Sequence, residues 1–196
     1  MKLVVGLGNP GPEYNFSPHN MGFAAVDRLA QRHRASLDRR RAKSLYARIQ
    51  MDDQEIFLIH PQTFMNLSGV AVKEWLRKQG CGPEDLVVVA DELDLAWGTV
   101  QIRQRGGSAG HHGLESIMET LGTRDFVRVR IGVSPDVAVK DPVAYLLRPL
   151  RGNQREKMDE ILDRAADATE MILREGAAKA MNRFNRREKQ AREATQ

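Results

Sequence analysis

The feature that most constrains this chain is the turn-rich stretch from Gly6 to Gly22, which follows the apolar run Leu3-Val4-Val5. It contains Gly6-Leu7-Gly8-Asn9-Pro10-Gly11, then Pro12, Pro18 and His19-Asn20, before helical periodicity resumes. Gly6, Gly8 and Gly11 have the spacing of a dinucleotide-binding fingerprint, in which a helix must open at the third glycine so that its N-terminus meets a pyrophosphate. Pro18 opposes that helix, because it disfavours helical geometry at Ser17 and removes a backbone donor. The acid expected about 20 residues further on is missing too, since that region is rich in arginine. The stretch therefore reads as a rigid platform presenting Asn9 and His19, and no cofactor is expected.

Around this platform, strand and helix patterns alternate. Met21, Phe23, Ala24, Val26, Leu29 and Ala30 predict a helix from His19 or Asn20 to His33, and Arg39-Arg40-Arg41 reads as an exposed connector. Ser44 to Met51 and Glu55 to His60 read as a hairpin, and a helix follows from Leu67 or Ser68 to Gly80. Leu86-Val87-Val88-Val89-Ala90 is the run expected of a central strand covered on both faces, ending at Asp91. Thr99 to Arg103 is a further strand, and the Gly-rich loop 105–110 leads into a helix near His111. Phe126 to Val133 alternates so that Arg128 and Arg130 share a face. A long helix is predicted over 153–174, interrupted at Gly176 and resumed from Ala177 to Phe184. The pattern implies an α/β fold, a single-domain three-layer α/β/α arrangement with a mixed, largely parallel sheet over 1–185, followed by a basic C-terminal tail at 186–196.

No 18-residue apolar run and no signal-peptide pattern occurs, so a cytoplasmic protein without a membrane segment is expected. The single cysteine, Cys81, excludes an intrachain disulfide and reads as structural. Charge is more informative. The net formal charge is +4, but eight Arg or Lys residues and one acid fall between Arg28 and Arg48, and six basic residues against two acids lie from Lys179 to Gln196. Such asymmetry fits either a polyanionic partner or merely solvated faces.

The polar residues at strand ends and loops form a possible site: Asn9, His19, Asn66, Asp91, His111 and His112. Together they offer a base, a carboxylate and hydrogen-bonding groups, without an evident Ser or Cys nucleophile. Gly-x-Ser-x-Gly is absent, and Ser68 sits where a helix cap is wanted. Simpler roles exist for each residue: His19 as a cap or surface residue, Asp91 as a turn cap, Tyr14 and Met65 as packing. A metal-dependent hydrolase built on His19, Asp91 and His111 or His112 lacks any supporting ligand spacing, and no metal is expected.

Several longer motifs then occur in order: Val5-Gly6-Leu7-Gly8-Asn9-Pro10-Gly11 with Tyr14, His19-Asn20 with Gly22, Pro61 and Thr63-Phe64-Met65-Asn66-Leu67-Ser68-Gly69, Asp91-Glu92-Leu93-Asp94-Leu95, Gly110-His111 with Gly113-Leu114, and Arg128 with Arg130-Ile131-Gly132. By these the chain resembles the bacterial peptidyl-tRNA hydrolase family. The resemblance implies hydrolysis of the ester joining a peptide to the terminal ribose of tRNA, which recycles tRNA during translation. It implies His19 as the general base activating water, Asp91 as its orienting partner, and Asn9 and Asn66 positioning water or the carbonyl. It further implies substrate binding by Tyr14, Asn20, Phe64, Met65, Asn66, His111 and His112. Acceptor-stem phosphates would meet Arg103, Arg105 and Arg130, with Lys179, Arg183, Arg186 and Arg187 as lesser candidates. Peptidyl-tRNA is the expected partner, and a monomer the expected form.

The chain also departs from the family pattern. Ser17-Pro18 stands where Thr-Arg is usual, Ala96-Trp97 replaces a Pro-rich turn, and His112 replaces an asparagine of the family's tRNA-binding and catalytic set. Imidazole is bulkier than an amide and titrates near neutrality. These departures leave open a catalytically weak or inactive homologue acting as an RNA-binding module, although retention of His19, Asp91, Asn9 and Asn66 favours the enzyme.

Overall fold

In the computed structural model, which describes residues 1–185, the apolar runs assemble into the centre of a seven-stranded sheet of order β2-β3-β4-β1-β5-β7-β6. The strands are β1 (Lys2–Gly6), β2 (Arg39–Arg41), β3 (Ser44–Met51), β4 (Gln54–Pro61), β5 (Leu86–Ala96), β6 (Val100–Arg103) and β7 (Val127–Ser134). The helices are α1 (Met21–Arg32), α2 (Ser68–Gln79), α3 (His112–Leu121), α4 (Pro142–Leu147), α5 (Asn153–Glu156), α6 (Met158–Glu175) and α7 (Ala177–Phe184). β4, β1, β5 and β7 run parallel, while β6 and the β2–β3 pair add antiparallel edges.

Alternation along the central strands divides the core between two faces. Val4, Val87, Val89, Val129 and Ile131 pack with α1, α6 and α7, whereas Leu3, Val5, Val88 and Ala90 pack with α2 and α3 around the fully buried Trp75. The expected three layers and mixed sheet are thus present. No helix among the described residues is long and apolar enough to cross a membrane. The tail at 186–196, with Arg186 and Arg187, lies outside the described residues.

Three local expectations change. Arg39-Arg40-Arg41 is not a connector but the edge strand β2, because it pairs in register with Tyr46, Leu45 and Ser44 of β3. The helix expected over 153–174 is interrupted at Lys157, although main-chain bonds continue on both sides, from Lys157 N to Asn153 O and from Ile161 N to Lys157 O. Finally, β5 does not stop at Asp91. Its pairing with β1 ends at Gly6 and Val89, but it continues along β7 through Asp91–Ile131 and Glu92–Gly132. Beyond Val89 one flank of β5 therefore has no strand beside it, and the platform loop occupies that flank.

The loop can approach because Gly22 has no side chain. A Cβ there would lie 2.3 Å from Val89 O and 2.6 Å from Leu7 N and O, all main-chain atoms unable to rotate aside. Ala in place of Gly ordinarily favours a helix by about 1 kcal/mol, yet the forced displacement costs about 1–3 kcal/mol or more. Gly22→Ala is therefore expected to lower the urea midpoint at unchanged m-value; a variant as stable as the parent would contradict this packing.

Candidate active site

The platform delivers its histidine through a short turn. Phe16 takes a left-handed conformation (φ 63°), Ser17 is extended, and Pro18 begins the 3-10 turn Pro18–Asn20. An extended residue before proline is what proline's ring requires. His19 is thereby buried beside Asp91, with its Nδ1 3.0 Å from both carboxylate oxygens.

A second imidazole reaches the same carboxylate: His111 Nε2 lies 3.0 Å from Asp91 Oδ1. His111 is also the N-cap of α3, where its Nδ1 accepts from Gly113 N at 3.1 Å and Leu114 N at 3.3 Å. A nitrogen that accepts two amide protons carries none, so the His111 proton sits on Nε2 and is donated to Asp91. Ionised Asp91 can only accept, so His19 donates from Nδ1. The Nε2 lone pair of neutral His19 is left for the cavity that this ring lines. The two rings lie 4.9 Å apart between centroids.

Burial of Asp91 by itself would raise its pKa, but the charges and hydrogen bonds of His111 and His19 outweigh it and hold the carboxyl well below the usual range. Burial also works against a charged His19. The Asp91 charge and hydrogen bond prevail, and the His19 pKa is raised above its ordinary 6.5.

The asparagines have different tasks. Asn20 Oδ1 accepts from Asn9 N and Asn20 Nδ2 donates to Asn9 O, each at 2.9 Å. Its amide is thus engaged in bracing the Asn9 main chain. Asn9 Oδ1 accepts from Met65 N at 3.0 Å, which fixes the amide's orientation and leaves Nδ2 outside that bond, on a residue that lines the cavity. Asn66 is exposed on the turn Met65–Leu67.

A cavity of about 580 Å³ brings together Asn9, His19, Phe64, Met65, Asn66, Asp91, His111 and His112. Tyr14, on the turn Pro12–Tyr14, does not line it. Its far wall is α4, through Pro142, Val143, Leu146 and Leu147, to which the sequence motifs assign no role. The available signal was Asp141-Pro142 ahead of a short apolar run; Asp141 indeed caps α4, accepting from Ala144 N at 3.0 Å. Tyr145 fastens this wall by donating to Val133 O at 2.6 Å.

The expected cations separate. Arg103 and Arg105 are exposed, Arg103 Nε donating to Gln101 Oε1 at 3.0 Å. Arg130 instead turns to buried Glu92, with Nε 3.0 Å from Oε2, and to Gln101. Arg128 is buried, donates to Gly107 O and Arg124 O at 2.9 Å each, and so pins the Gly-rich loop. Burial and the neighbouring Arg130 and Arg124 push its pKa down to about 10. Lys179 lies 3.8 Å from Glu175, and the Arg183 guanidinium 5.8 Å from the Phe184 ring centroid.

As for metals, one nitrogen each of His19 and His111 and an Asp91 oxygen lie within 4.8 Å of one another. His19 Nδ1 and His111 Nε2 carry protons directed at Asp91, and a metal bound through either would have to displace that hydrogen bond.

Comparison with known proteins adds an independent line. The profile of the peptidyl-tRNA hydrolase family matches residues 3–193. The peptidyl-tRNA hydrolase of Acidobacterium capsulatum is 48% identical over 96% of this chain and 97% of its own, and that of Koribacter versatilis 44% identical over 95% and 94%. The crystal structure of peptidyl-tRNA hydrolase from Acinetobacter baumannii superposes with a TM-score of 0.87 at 30% identity, covering 94% of each chain.

The two histidines should therefore hold opposite tautomers, His19 protonated on Nδ1 and His111 on Nε2, in ¹⁵N spectra recorded above the His19 pKa. Asp91→Asn removes the charge that raises the His19 pKa while burial continues to lower it, so the His19 midpoint should fall. A midpoint unmoved by Asp91→Asn would break the assigned pairing.

Proposed function

We propose that this chain, which belongs to the peptidyl-tRNA hydrolase family, hydrolyses the ester bond of peptidyl-tRNA with His19 as general base. Ester hydrolysis of peptidyl-tRNA is the family's reaction, and the chain is an enzyme of that family. The observation supporting the residue assignment is the bidentate approach of Asp91 to His19 Nδ1, which directs the other ring nitrogen to the cavity. A water between Nε2 and the ester carbonyl loses its proton to His19 as its oxygen attacks. The imidazolium that forms is stabilised by Asp91, which stays ionised because His111 holds it from the other side. As the tetrahedral intermediate collapses, the bond from the carbonyl carbon to the ribose oxygen breaks and that oxygen takes the proton from His19, which returns to the neutral form.

Charge develops at the same moment on the carbonyl oxygen. Asn9 Nδ2 and the Asn66 amide are the side-chain donors we assign to it. The His112 N–H, in the first turn of α3 without a helical acceptor, adds a third. Asn20 acts through Asn9 and not on substrate. Phe64, Met65 and the α4 wall offer apolar surface to the peptide and terminal nucleotide, and Tyr14 stands outside that surface. Exposed Arg103 and Arg105 meet acceptor-stem phosphates, while Arg130 supports that surface through Glu92 and Gln101. Backbone contact without base reading suits an enzyme that must accept many tRNAs. The cytoplasm, where translation runs, is the location we propose, with a monomer as the working form. A purely RNA-binding role is not favoured.

His19→Ala is expected to lower kcat on peptidyl-tRNA by about 10²–10⁴-fold, with chelator leaving the parent's rate unchanged. Protonated His19 cannot accept a proton, so kcat/KM should rise with pH through a midpoint above 6.5. A profile flat across that region in the parent would remove His19 from the base role.

A further inference from the structure

The arginine-rich run divides by its partners. Arg28 meets Asp159 at 2.5 Å and Asp163 at 2.8 Å, Arg32 meets Asp163 at 2.9 Å and Asp167 at 2.6 Å, and Arg48 meets Glu55 at 3.0 Å. Arg39, Arg40, Arg41 and Lys43 are all exposed, and none of them forms an ion pair among the described residues. Four of five consecutive residues thus carry positive charge without an ion pair among the described residues; Lys43 acts only at longer range on Glu74, whose carboxyl is held down chiefly by Lys78.

The main chain that carries these cations is held stiffly. Ala42 and Lys43 have φ of 48° and 54°, the two-residue turn that joins tight hairpins and that glycine or asparagine would adopt with less strain. Ala42 is buried, Ser44 Oγ donates to Ala42 O at 3.0 Å, and Lys43 O accepts from Gln62 N at 2.7 Å. Arg41 lies with its guanidinium 5.6 Å from the Trp75 ring centroid. Strand register sets Ser44 opposite Pro61, so the turn stands at the sheet edge where Phe64, Met65 and Asn66 wall the cavity. Gln62, bonded to the turn, lies two residues before that wall. β2 is three strands from β1, about 14 Å at ordinary strand spacing.

We infer that the β2–β3 hairpin, through Arg39, Arg40 and Lys43, is a second docking surface for the tRNA backbone, on the flank of the cavity opposite Arg103 and Arg105. The inference rests on the reading of the chain as a peptidyl-tRNA hydrolase. Arginines on an edge strand also discourage strand-to-strand association. That task needs neither a strained turn nor a bond from the turn to the segment leading into the cavity wall, whereas a phosphate surface gains from both, because a main chain fixed in advance loses less entropy on binding.

The test compares the parent with a triple variant, Arg39→Gln, Arg40→Gln and Lys43→Gln, leaving Arg41 on Trp75. KM for peptidyl-tRNA should rise about tenfold at moderate salt, and the slope of log KM against log salt should flatten by about 0.7–0.9 for each phosphate that the variant no longer neutralises. Hydrolysis of a minimal substrate, a peptidyl ester of adenosine alone, should not change, which excludes a folding defect. Arg39→Lys with Arg40→Lys should keep the parent's slope. Equal KM and slope in parent and triple variant would overturn the inference while leaving hydrolysis intact. Should the parent fail to hydrolyse peptidyl-tRNA, the functional reading falls separately, and the same salt series on direct tRNA binding decides the hairpin.

Discussion

The structure around the cavity depends on one buried anion. Asp91 is 2% exposed, and its carboxylate accepts from two imidazoles delivered by different parts of the chain. Removing one partner of a buried charge costs on the order of 3–5 kcal/mol, so the elements that meet there are held to one arrangement. β5 brings the carboxylate past the end of β1, the turn at Pro18 brings His19, and the first turn of α3 brings His111. The connection continues outward: α3 amides bond His111, His111 bonds Asp91, and Asp91 bonds His19 at the cavity. Each bond polarises the next. Folding of the α3 N-terminus and the tautomer of His19 are thus set by the same contacts.

What the sequence made legible was what acts locally. Prolines impose their geometry on neighbours, so Pro18 excluded a phosphate-binding helix, and α1 indeed begins only at Met21. Continuous apolar runs predicted the central strands for the same reason. The end of β5 was misread because its apolar run stops at Ala90, while burial continues through Asp91 and Glu92 and pairing with β7 continues beside them. The role of His111 was hidden, since adjacency to Asp91 arises from sheet topology. Partners of the arginines were hidden more deeply: Arg28 and Asp159 are 131 positions apart, and the local run shows Arg28 on a helix but not which acid it meets.

The departures from the family pattern have local accounts. Ser17-Pro18 still yields a usable turn, with Phe16 absorbing the left-handed conformation that Pro18 and the buried Ser17 leave to it. Phe16 is steadied by Arg155, whose guanidinium lies 3.6 Å from the ring centroid, and by Leu150 N, which donates to Phe16 O at 2.8 Å. The His19 turn is therefore tied to the chain that leaves α4, the far wall of the cavity. His112 is exposed in the first turn of α3. Its main-chain N–H is available whatever the side chain, so replacing asparagine changes one contribution of this position and leaves the other.

The charge balance of the cluster separates catalysis from mere binding. A surface that only bound RNA would gain from cations, yet a buried carboxylate stands beneath the cavity proposed to receive the end of a polyanion. With His19 neutral the cluster carries a net negative charge, which repels phosphate but favours moving a proton from water onto His19. The same coupling works against stability. Because the folded pKa of His19 is raised, its contribution to stability is fully present below the unfolded value of about 6.5 and is lost as pH rises through the folded value. The neutral base that the proposed mechanism requires is therefore the state in which this pair stabilises the fold least, as expected if the site is shaped by reaction more than by stability.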